Sequence, residues 1–385
     1  MTAATPPFPA LPPAARVGDP VSAVDTPALL LELDAFERNL DRMQAAADAA
    51  GVVLRPHAKA HKCPDISLLQ VQRGAVGICC QKISEAYPFV AAGIQDVLIS
   101  NEPVGPAKAA LAAELARHCR LSICVDHASQ IADLAAACAA AGSRIELLVE
   151  INIGQNRCGV ADAPAVLALI ERIQAHPEQL RFKGLQAYLG SIQHLRSHEE
   201  RRAAAAGASE RTGAVAKALQ AAGVHCEVIT GGGSGTVEFD LANGVYTEVQ
   251  PGSYIGMDMD YGRNEFAGSL RFEHALFLAS TLMSQGNGER LVLDAGLKSL
   301  AVDSGLPLVW GPDGERLDLV YTSANDEHGI LQAQGPDTRR PQLGEQVWLV
   351  PGHCDPTFNL HDELVAVRQG RVEALWPIAA RGLSR

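Results

Sequence analysis

The chain has 385 residues, with 44 acidic against 32 basic side chains and a formal net charge of −12. Hydrophobic residues make up 47% and charged residues 20%, enough for a sizeable core in one large domain plus a smaller one, or in two of similar size. The acidic balance argues against a nucleic-acid binder, which needs a basic footprint, and no run of about 18 apolar residues offers a membrane span.

Six prolines fall in the first twenty residues, and residues 1–24 read as an irregular Pro-rich arm. A basic start followed by an apolar stretch is missing, so the arm does not read as a signal peptide. Ala28–Leu33 is strand-like and fits either domain. A helix is predicted to open at Asp34, with Glu37 completing a capping box, Phe36, Leu40 and Met43 on one face, and Gly51 as C-cap. Short β-like runs then alternate with Ala/Leu-rich helical stretches. The runs are Val53-Leu54, Gly77–Cys79, Val97–Ile99, Ser122–Cys124, Leu147–Val149, Gly184-Leu185, Val228-Ile229 and Thr247–Val249. Further helix starts are Asp162 with Pro164, and Ser197 with Glu200. Continuous apolar runs suit strands buried on both faces, and eight strand–helix units predict an α/β chain whose residues 25–267 form a (β/α)8 TIM barrel. A doubly wound open sheet is the alternative. Beyond about residue 268 Val-, Leu- and Trp-containing runs alternate with turns. They include Leu291–Leu293, Leu306–Trp310, Leu317–Tyr321 and Val347–Val350, and Val365–Arg368 and Val372–Leu375 flank the hairpin signal Gln369-Gly370. Residues 268–385 are predicted to be a mainly antiparallel β domain. Nine cysteines, odd in number and without a CxxC pair, read as reduced thiols of a cytoplasmic protein rather than disulfides or a thiolate zinc site.

Reactive groups of such a barrel cluster at the C-terminal ends of its strands. The first strand runs into Arg55-Pro-His57-Ala-Lys59-Ala-His61-Lys62. Lys59 is a candidate Schiff-base former if burial lowers its pKa and exposes a neutral amine; a solvated basic loop is the plainer reading. The seventh strand runs into Thr230-Gly-Gly-Gly-Ser-Gly-Thr236 and the eighth into Gly252-Ser253-Tyr254. Two such segments on neighbouring strands offer bare N–H groups and hydroxyls to a phosphate, without the Gly-Lys-Ser/Thr of a P-loop. His353-Cys354-Asp355 would project an imidazole and a carboxylate to one side of an extended chain, suiting a divalent cation; a capping Asp beside a core His fits the same letters. Arg157 could compensate an anion, Tyr188 could stack or hydrogen-bond, and His194 is a candidate base.

Together, Arg55-Pro-His57-Ala-Lys59, Cys79-Cys-Gln-Lys-Ile-Ser-Glu85, Asn156-Arg-Cys-Gly159, Gly184-Leu-Gln-Ala-Tyr188, Thr230-Gly-Gly-Gly233, Asp294-Ala-Gly-Leu-Lys298, Asn325-Asp-Glu-His328 and His353-Cys-Asp-Pro356 resemble the metal-dependent D-threonine aldolase family over roughly residues 20–385. The 3-hydroxy-D-aspartate aldolases and D-serine dehydratases are its relatives. The resemblance implies an alanine-racemase-like, fold type III enzyme with a PLP (pyridoxal 5′-phosphate) barrel followed by a β domain, and a homodimer. It implies that Lys59 holds PLP as a Schiff base and that Thr230, Gly232, Gly233, Gly252, Ser253 and Tyr254 lie where phosphate binds. Arg157 falls near the ring, Gln81 and Tyr188 line the site, His194 is the candidate base, and His353 and Asp355 are the metal ligands. Asp326 receives no role.

The resembling dehydratases carry His-x-Cys at the metal. Here Asp355 replaces that cysteine and Cys354 falls on the other side of the chain, a harder site that favours Mn2+, with Mg2+, Co2+ or Zn2+ as alternatives. The implied activity is metal-dependent retro-aldol cleavage of a small D-3-hydroxy amino acid to glycine and an aldehyde. A 3-hydroxy-D-aspartate aldolase and a β-eliminating dehydratase are the alternatives within the family. From other classes, a non-catalytic PLP carrier would lack the β domain, and a barrel metal hydrolase would be colourless.

Overall fold

The computed structural model describes residues 10–268, 270–286 and 290–385. The first nine residues of the Pro-rich arm lie outside them. Seventeen strands follow one another: β1 (Ala28–Glu32), β2 (Val53–Leu54), β3 (Ile78–Cys80), β4 (Asp96–Ile99), β5 (Arg120–Val125), β6 (Ile145–Glu150), β7 (Leu180–Ala187), β8 (Val228–Gly231), β9 (Glu248–Val249), β10 (Leu276–Gly286), β11 (Arg290–Leu293), β12 (Leu308–Trp310), β13 (Arg316–Ala324), β14 (Gly329–Ala333), β15 (Gln346–Val350), β16 (Glu363–Arg368) and β17 (Arg371–Pro377).

The eight predicted strand–helix units are present. Strands β2 to β9 form one parallel sheet in the order β2-β9-β8-β7-β6-β5-β4-β3. Val76 N donates to Leu54 O (3.0 Å) and Cys79 N to Pro56 O (2.8 Å), which joins the two ends into a (β/α)8 barrel. Its interior is layered. Near the N-terminal ends of the strands lies a buried ionic layer. Arg55 pairs there with Glu248 (2.8 Å) and Asp96 (2.7 Å), and Lys183 with Glu146 (2.7 Å). Above it sits a small apolar layer of Cys79, Leu98, Cys124 and Leu148. The polar cavity described below occupies the C-terminal ends.

Helix Leu33–Ala50 shows how local signals were read and misread. Phe36, Leu40 and Met43 are buried on one face, and Gly51 caps the end at φ +65°. The N-cap, however, is Glu32 rather than Asp34. The Glu32 carboxylate accepts from Asp34 N and Ala35 N, whereas Asp34 pairs with Arg368. A long acidic side chain in extended backbone can reach the free N–H groups as a shorter one does. The other two starts hold: Asp162 accepts from Ala165 N and Ser197 from Glu200 N.

The second sheet has nine strands in the order β11-β14-β13-β12-β15-β10-β1-β16-β17, and pairing of β10 with β11 closes six of them into an antiparallel barrel. The strand that the sequence left unassigned, β1, lies in this sheet. It runs antiparallel to β10 and parallel to β16, where Leu30 pairs with Val365. Gln369 (φ +49°) and Gly370 (φ +74°) form the predicted tight hairpin turn. The arm is not free throughout: Gly18 N and Val21 N bond to Val372 O and Gly370 O on that hairpin, and Ala15, Val21 and Val24 are buried. All nine cysteines are free thiols. Among the described residues no helix is long and apolar enough to cross a membrane.

Candidate active site

A cavity of about 140 Å3 opens at the C-terminal ends of the barrel strands. Its walls come from seven strand–loop junctions. His57 and Lys59 follow β2, Gln81 follows β3 and Ser100 follows β4. Arg157 follows β6, Gln186 and Tyr188 close β7, and Gly232, Gly233 and Ser234 follow β8. Gln250, Gly252 and Ser253 follow β9, and Tyr261 comes from the short helix Met259–Gly262. A larger groove of about 1070 Å3 between helix Leu33–Ala50 and the β domain contains Arg263 but no lysine, serine or cysteine. The reactive groups converge in the smaller cavity.

Lys59 sits in a single 3-10 turn, Ala58–Ala60, whose first N–H groups are capped by His57. Its ammonium forms an ion pair with Asp355, and its side chain is 38% exposed. Burial works to lower the Lys59 pKa, but the Asp355 carboxylate outweighs it and the value is raised. Desolvation alone would give the neutral amine expected from the sequence; the counter-charge of Asp355 reverses it. Asp355 feels the same pair from the other side. Burial disfavours its ionised form, yet Lys59 and His353 hold the carboxyl below the usual carboxylate range. His57 is driven well below the usual histidine range by burial and then by Lys59. Its Nδ1 accepts from Lys59 N at 3.4 Å, and its Nε2 lies 3.0 Å from Ser100 Oγ and 3.3 Å from Gln81 Nε2. This is a neutral ring that shapes the loop. The Arg157 guanidinium lies 5.5 Å above the Tyr188 ring, a cation–π contact on the cavity wall.

The glycine loop is bare because nothing else fits. A Cβ on Gly232 (φ +72°) would stand 2.4 Å from Asp240 Oδ2, and one on Gly233 2.7 Å from Gln193 Oε1. The backbone face turned to the cavity is therefore free of side chains, and the hydroxyls of Ser234 and Ser253 flank it. Behind the loop Asp240 is buried, and desolvation pushes its carboxyl up to about 7 against hydrogen bonds from Thr236 and Gly233. Two predicted phosphate residues turn away. Thr230 Oγ1 donates to Glu248 (2.8 Å) inside the barrel, and the Tyr254 hydroxyl accepts from Gln70 (2.9 Å) in the core. A strand-to-loop segment alone does not reveal which side chains face the opening.

His353 and Asp355 meet differently from the extended-chain expectation. Helix Cys354–Phe358 begins between them, so His353 is the N-cap and Asp355 lies in the first turn. His353 Nδ1 is 2.7 Å from Asp303 Oδ2, which orients the ring and leaves Nε2 without that partner. Cys354 is buried, with its N–H donated to Asp258. His194 is not part of the cavity wall. Its Nδ1 is 2.6 Å from Asp260, and its ring stacks at 5.0 Å against Tyr261, which is. Asp326 lies with Leu297 and His328 in a separate surface depression. Not singled out from sequence were Ser100, Gln186 and Gln250, each one place from a strand end, Ser234 within the glycine loop, and Tyr261 in the short helix Met259–Gly262. Nor were Glu102, Glu150 and Cys158, whose ligand atoms lie within 4.8 Å of one another beside Arg157.

The family described as alanine racemase, N-terminal domain, matches residues 31–260, and that described as putative serine dehydratase domain matches residues 275–367. The chain is 54% identical over 376 residues to a D-threonine aldolase of Arthrobacter sp, covering 98% of each protein. It is 43% identical to a 3-hydroxy-D-aspartate aldolase of Paracoccus denitrificans (strain Pd 1222), covering 97% of this chain and 95% of that one. The crystal structure of D-threonine aldolase from Filomicrobium marinum superposes with a TM-score of 0.93 at 46% identity, covering 97% of this chain and all of the other.

Proposed function

Because the chain belongs to the D-threonine aldolase family, on a barrel of the alanine-racemase type, we propose that it cleaves D-3-hydroxy amino acids of the threonine type to glycine and an aldehyde, with PLP and a divalent cation. The observation that carries this reading is the meeting of three groups at one cavity: the Lys59 amine, a carboxylate from the β domain in contact with it, and a glycine cradle opposite.

The residues fit the cofactor. Lys59 supplies the amine that holds its aldehyde, the Gly232–Ser234 and Gly252–Ser253 backbones and hydroxyls receive its phosphate, and Arg157 and Tyr188 bound its ring. When bound, PLP supplies the electron sink that lets a bond at Cα break heterolytically. His353 and Asp355 would hold the cation, which would make the substrate hydroxyl more acidic. Mn2+ suits this hard pair best.

The chain's own groups do the rest. Asp355 is the counter-charge of the Lys59 ammonium and would be free to serve a cation once that amine no longer carries its charge there. His194, steadied by Asp260, offers Nε2 at the margin of the cavity to accept the proton of the β-hydroxyl. As that proton leaves, the Cα–Cβ bond breaks, an aldehyde departs, and Cα regains a proton to give glycine. The buried neutral His57 and the Ser100 and Gln81 groups it engages fix the Lys59 turn without taking part in proton transfer.

Asp355 in place of a thiolate favours aldol cleavage over β-elimination. A 3-hydroxyaspartate substrate would need a cation for its distal carboxylate. The candidates are Arg157, which lines the cavity, Arg263, which lines the other groove, and an arginine of another chain. A homodimer and a reducing, cytoplasmic setting complete the reading; the nine free thiols support the latter.

The test is one assay with PLP and Mn2+ on D-threonine, L-threonine and D-serine, with and without EDTA. Acetaldehyde and glycine from D-threonine alone, lost with EDTA, is the expected result. Pyruvate and ammonia from D-serine would move the activity to β-elimination.

A further inference from the structure

Three acidic groups and one guanidinium crowd the ends of β4, β5 and β6, beside the cavity. Glu150 is the last residue of β6 and is 4% exposed. Glu102 follows β4, and one of its carboxylate oxygens is shut from solvent with no hydrogen-bond donor. Asp126, after β5, is engaged: its Oδ2 accepts from Gly159 N at 3.0 Å. Arg157 reaches back to within 3.9 Å of Glu150 Oε1.

The loop that carries Arg157 is pinned. Asn152 N donates to Val160 O and Val160 N to Glu150 O, both at 2.9 Å. A Cβ on Gly159 (φ +95°) would stand 2.7 Å from the Ile151 carbonyl carbon, so the loop closes on the end of β6 only with glycine there. The backbone thus fixes where Arg157 starts. It does not fix where a long side chain ends.

We propose that Glu150 is a positioning residue for Arg157: the facing carboxyls of Glu102 and Glu150 share one proton, and the resulting singly charged pair holds the guanidinium over Tyr188. The inference rests on the reading of the cavity as the cofactor site. Two adjacent carboxylates, one buried and one with an oxygen shut from solvent, disfavour double ionisation, so one keeps a proton. That proton supplies the donor the shut-in Glu102 oxygen otherwise lacks. Burial first, and Glu102 next, push the Glu150 carboxyl up, which places the proton there. The groups facing Glu150 are Glu102, Asp126, Cys158, Arg157 and the buried Cys124 thiol, which burial keeps protonated. The Cys158 thiol, pushed up to about 11 by burial and Glu102, stays protonated and adds no charge. A pair carrying one negative charge balances one guanidinium. A doubly charged pair would pull Arg157 off the Tyr188 ring and out of the cavity wall. The same three ligand atoms could enclose a divalent cation, but Arg157 already places a positive charge there.

The experiment uses the PLP-loaded enzyme as wild type, Glu150→Gln and Glu150→Ala. The readouts are the PLP dissociation constant and the pH titration of the yellow absorbance. Glu150→Gln mimics the protonated acid and should keep both near wild type. Glu150→Ala should weaken PLP retention roughly tenfold or more, as loss of an orienting partner does at metal sites. It should also move the titration midpoint by about one unit, because a charge near the ring has shifted. Should Glu150→Ala fail to fold, Glu150→Asp, which keeps the carboxyl but shortens its reach to Arg157, should show a loss in the same direction. Wild-type values in the alanine variant would overturn the proposal. Equal damage in Gln and Ala would overturn it too, by showing that the charge rather than the proton matters. A metal ion that survives in a His353→Ala variant and leaves in Glu150→Gln would replace the proton with a cation. A wild type that takes up no PLP would instead sink the reading of the site itself.

Discussion

The two ends of the barrel both bury ionisable groups, and they treat them in opposite ways. At the N-terminal end every cation has its anion. Arg55 lies between Glu248 and Asp96, and Lys183 and Arg120 share Glu146 at 2.7 and 3.1 Å. Burial alone would raise the Glu146 pKa, yet Lys183, Arg181 and Arg120 bring it down to about 2. At the C-terminal end the shifts run toward the uncharged form. His57 is held neutral, Glu150 is raised and Asp240 is pushed up to about 7. The exception is the Lys59–Asp355 pair, in which each partner stabilises the other's charge. A closed network is a structural device. A set of groups kept neutral, or paired across a domain boundary beside a cavity, is free to change state when a ligand arrives.

This contrast can be broken from either side. Lys59→Ala should abolish turnover and the yellow absorbance while leaving the cooperative unfolding transition in place; residual turnover would remove Lys59 from its role. Arg55→Ala should do the reverse. It strands Glu248 and Asp96 in the interior, at a cost of roughly 3–5 kcal/mol in urea denaturation. A loss under about 1 kcal/mol would mean that water reaches that layer.

The pH dependence of stability separates the two ends more finely. Glu146 has a folded-state pKa below its unfolded one. Its contribution is present above the unfolded pKa of about 4.3 and is lost as pH falls toward about 2. Asp240 has a raised folded-state pKa, so its effect has the opposite sign. Stability is fullest below its unfolded pKa of about 3.9 and declines as pH rises through about 7. Glu146→Gln should flatten the acid limb and Asp240→Asn the neutral limb of stability against pH, both read by urea titration. Unchanged limbs would refute the assignments. The smallest effect is expected from Asp355→Ala. Its partner Lys59 is partly exposed, so stability should change by roughly 1 kcal/mol or less, while dependence on added Mn2+ disappears. Full activity in EDTA would remove Asp355 from the metal site.

Much of this was legible before any coordinates. The eight barrel strands announced themselves as apolar runs ending in polar residues, because both of their faces are buried. Lys59, Gln81, Arg157, Tyr188, Gly232, Gly233, Gly252 and Ser253 all reach the cavity as the family resemblance implied. The failures share one cause. Thr230 and Tyr254 sit in the right segments but turn inward, and the direction of a side chain at a strand end depends on its neighbours. The long strand β10 escaped notice because Ser284, Gln285 and Gly286 end it in residues that read as loop. The state of Lys59 depends on Asp355, 296 residues away in the chain. The Glu102–Glu150 contact joins β4 to β6, a relation no local pattern encodes.

The placement of β1 bears on how the protein is made. Its hydrogen-bonding partners, β10 and β16, lie beyond the whole barrel, and Leu30 meets Val365 only after the barrel has been made. On the ribosome the barrel strands emerge in order and can pair as they appear, while β1 waits with both edges unpaired. A break between the two sheets would divide one of them, so neither half of the chain is a finished folding unit.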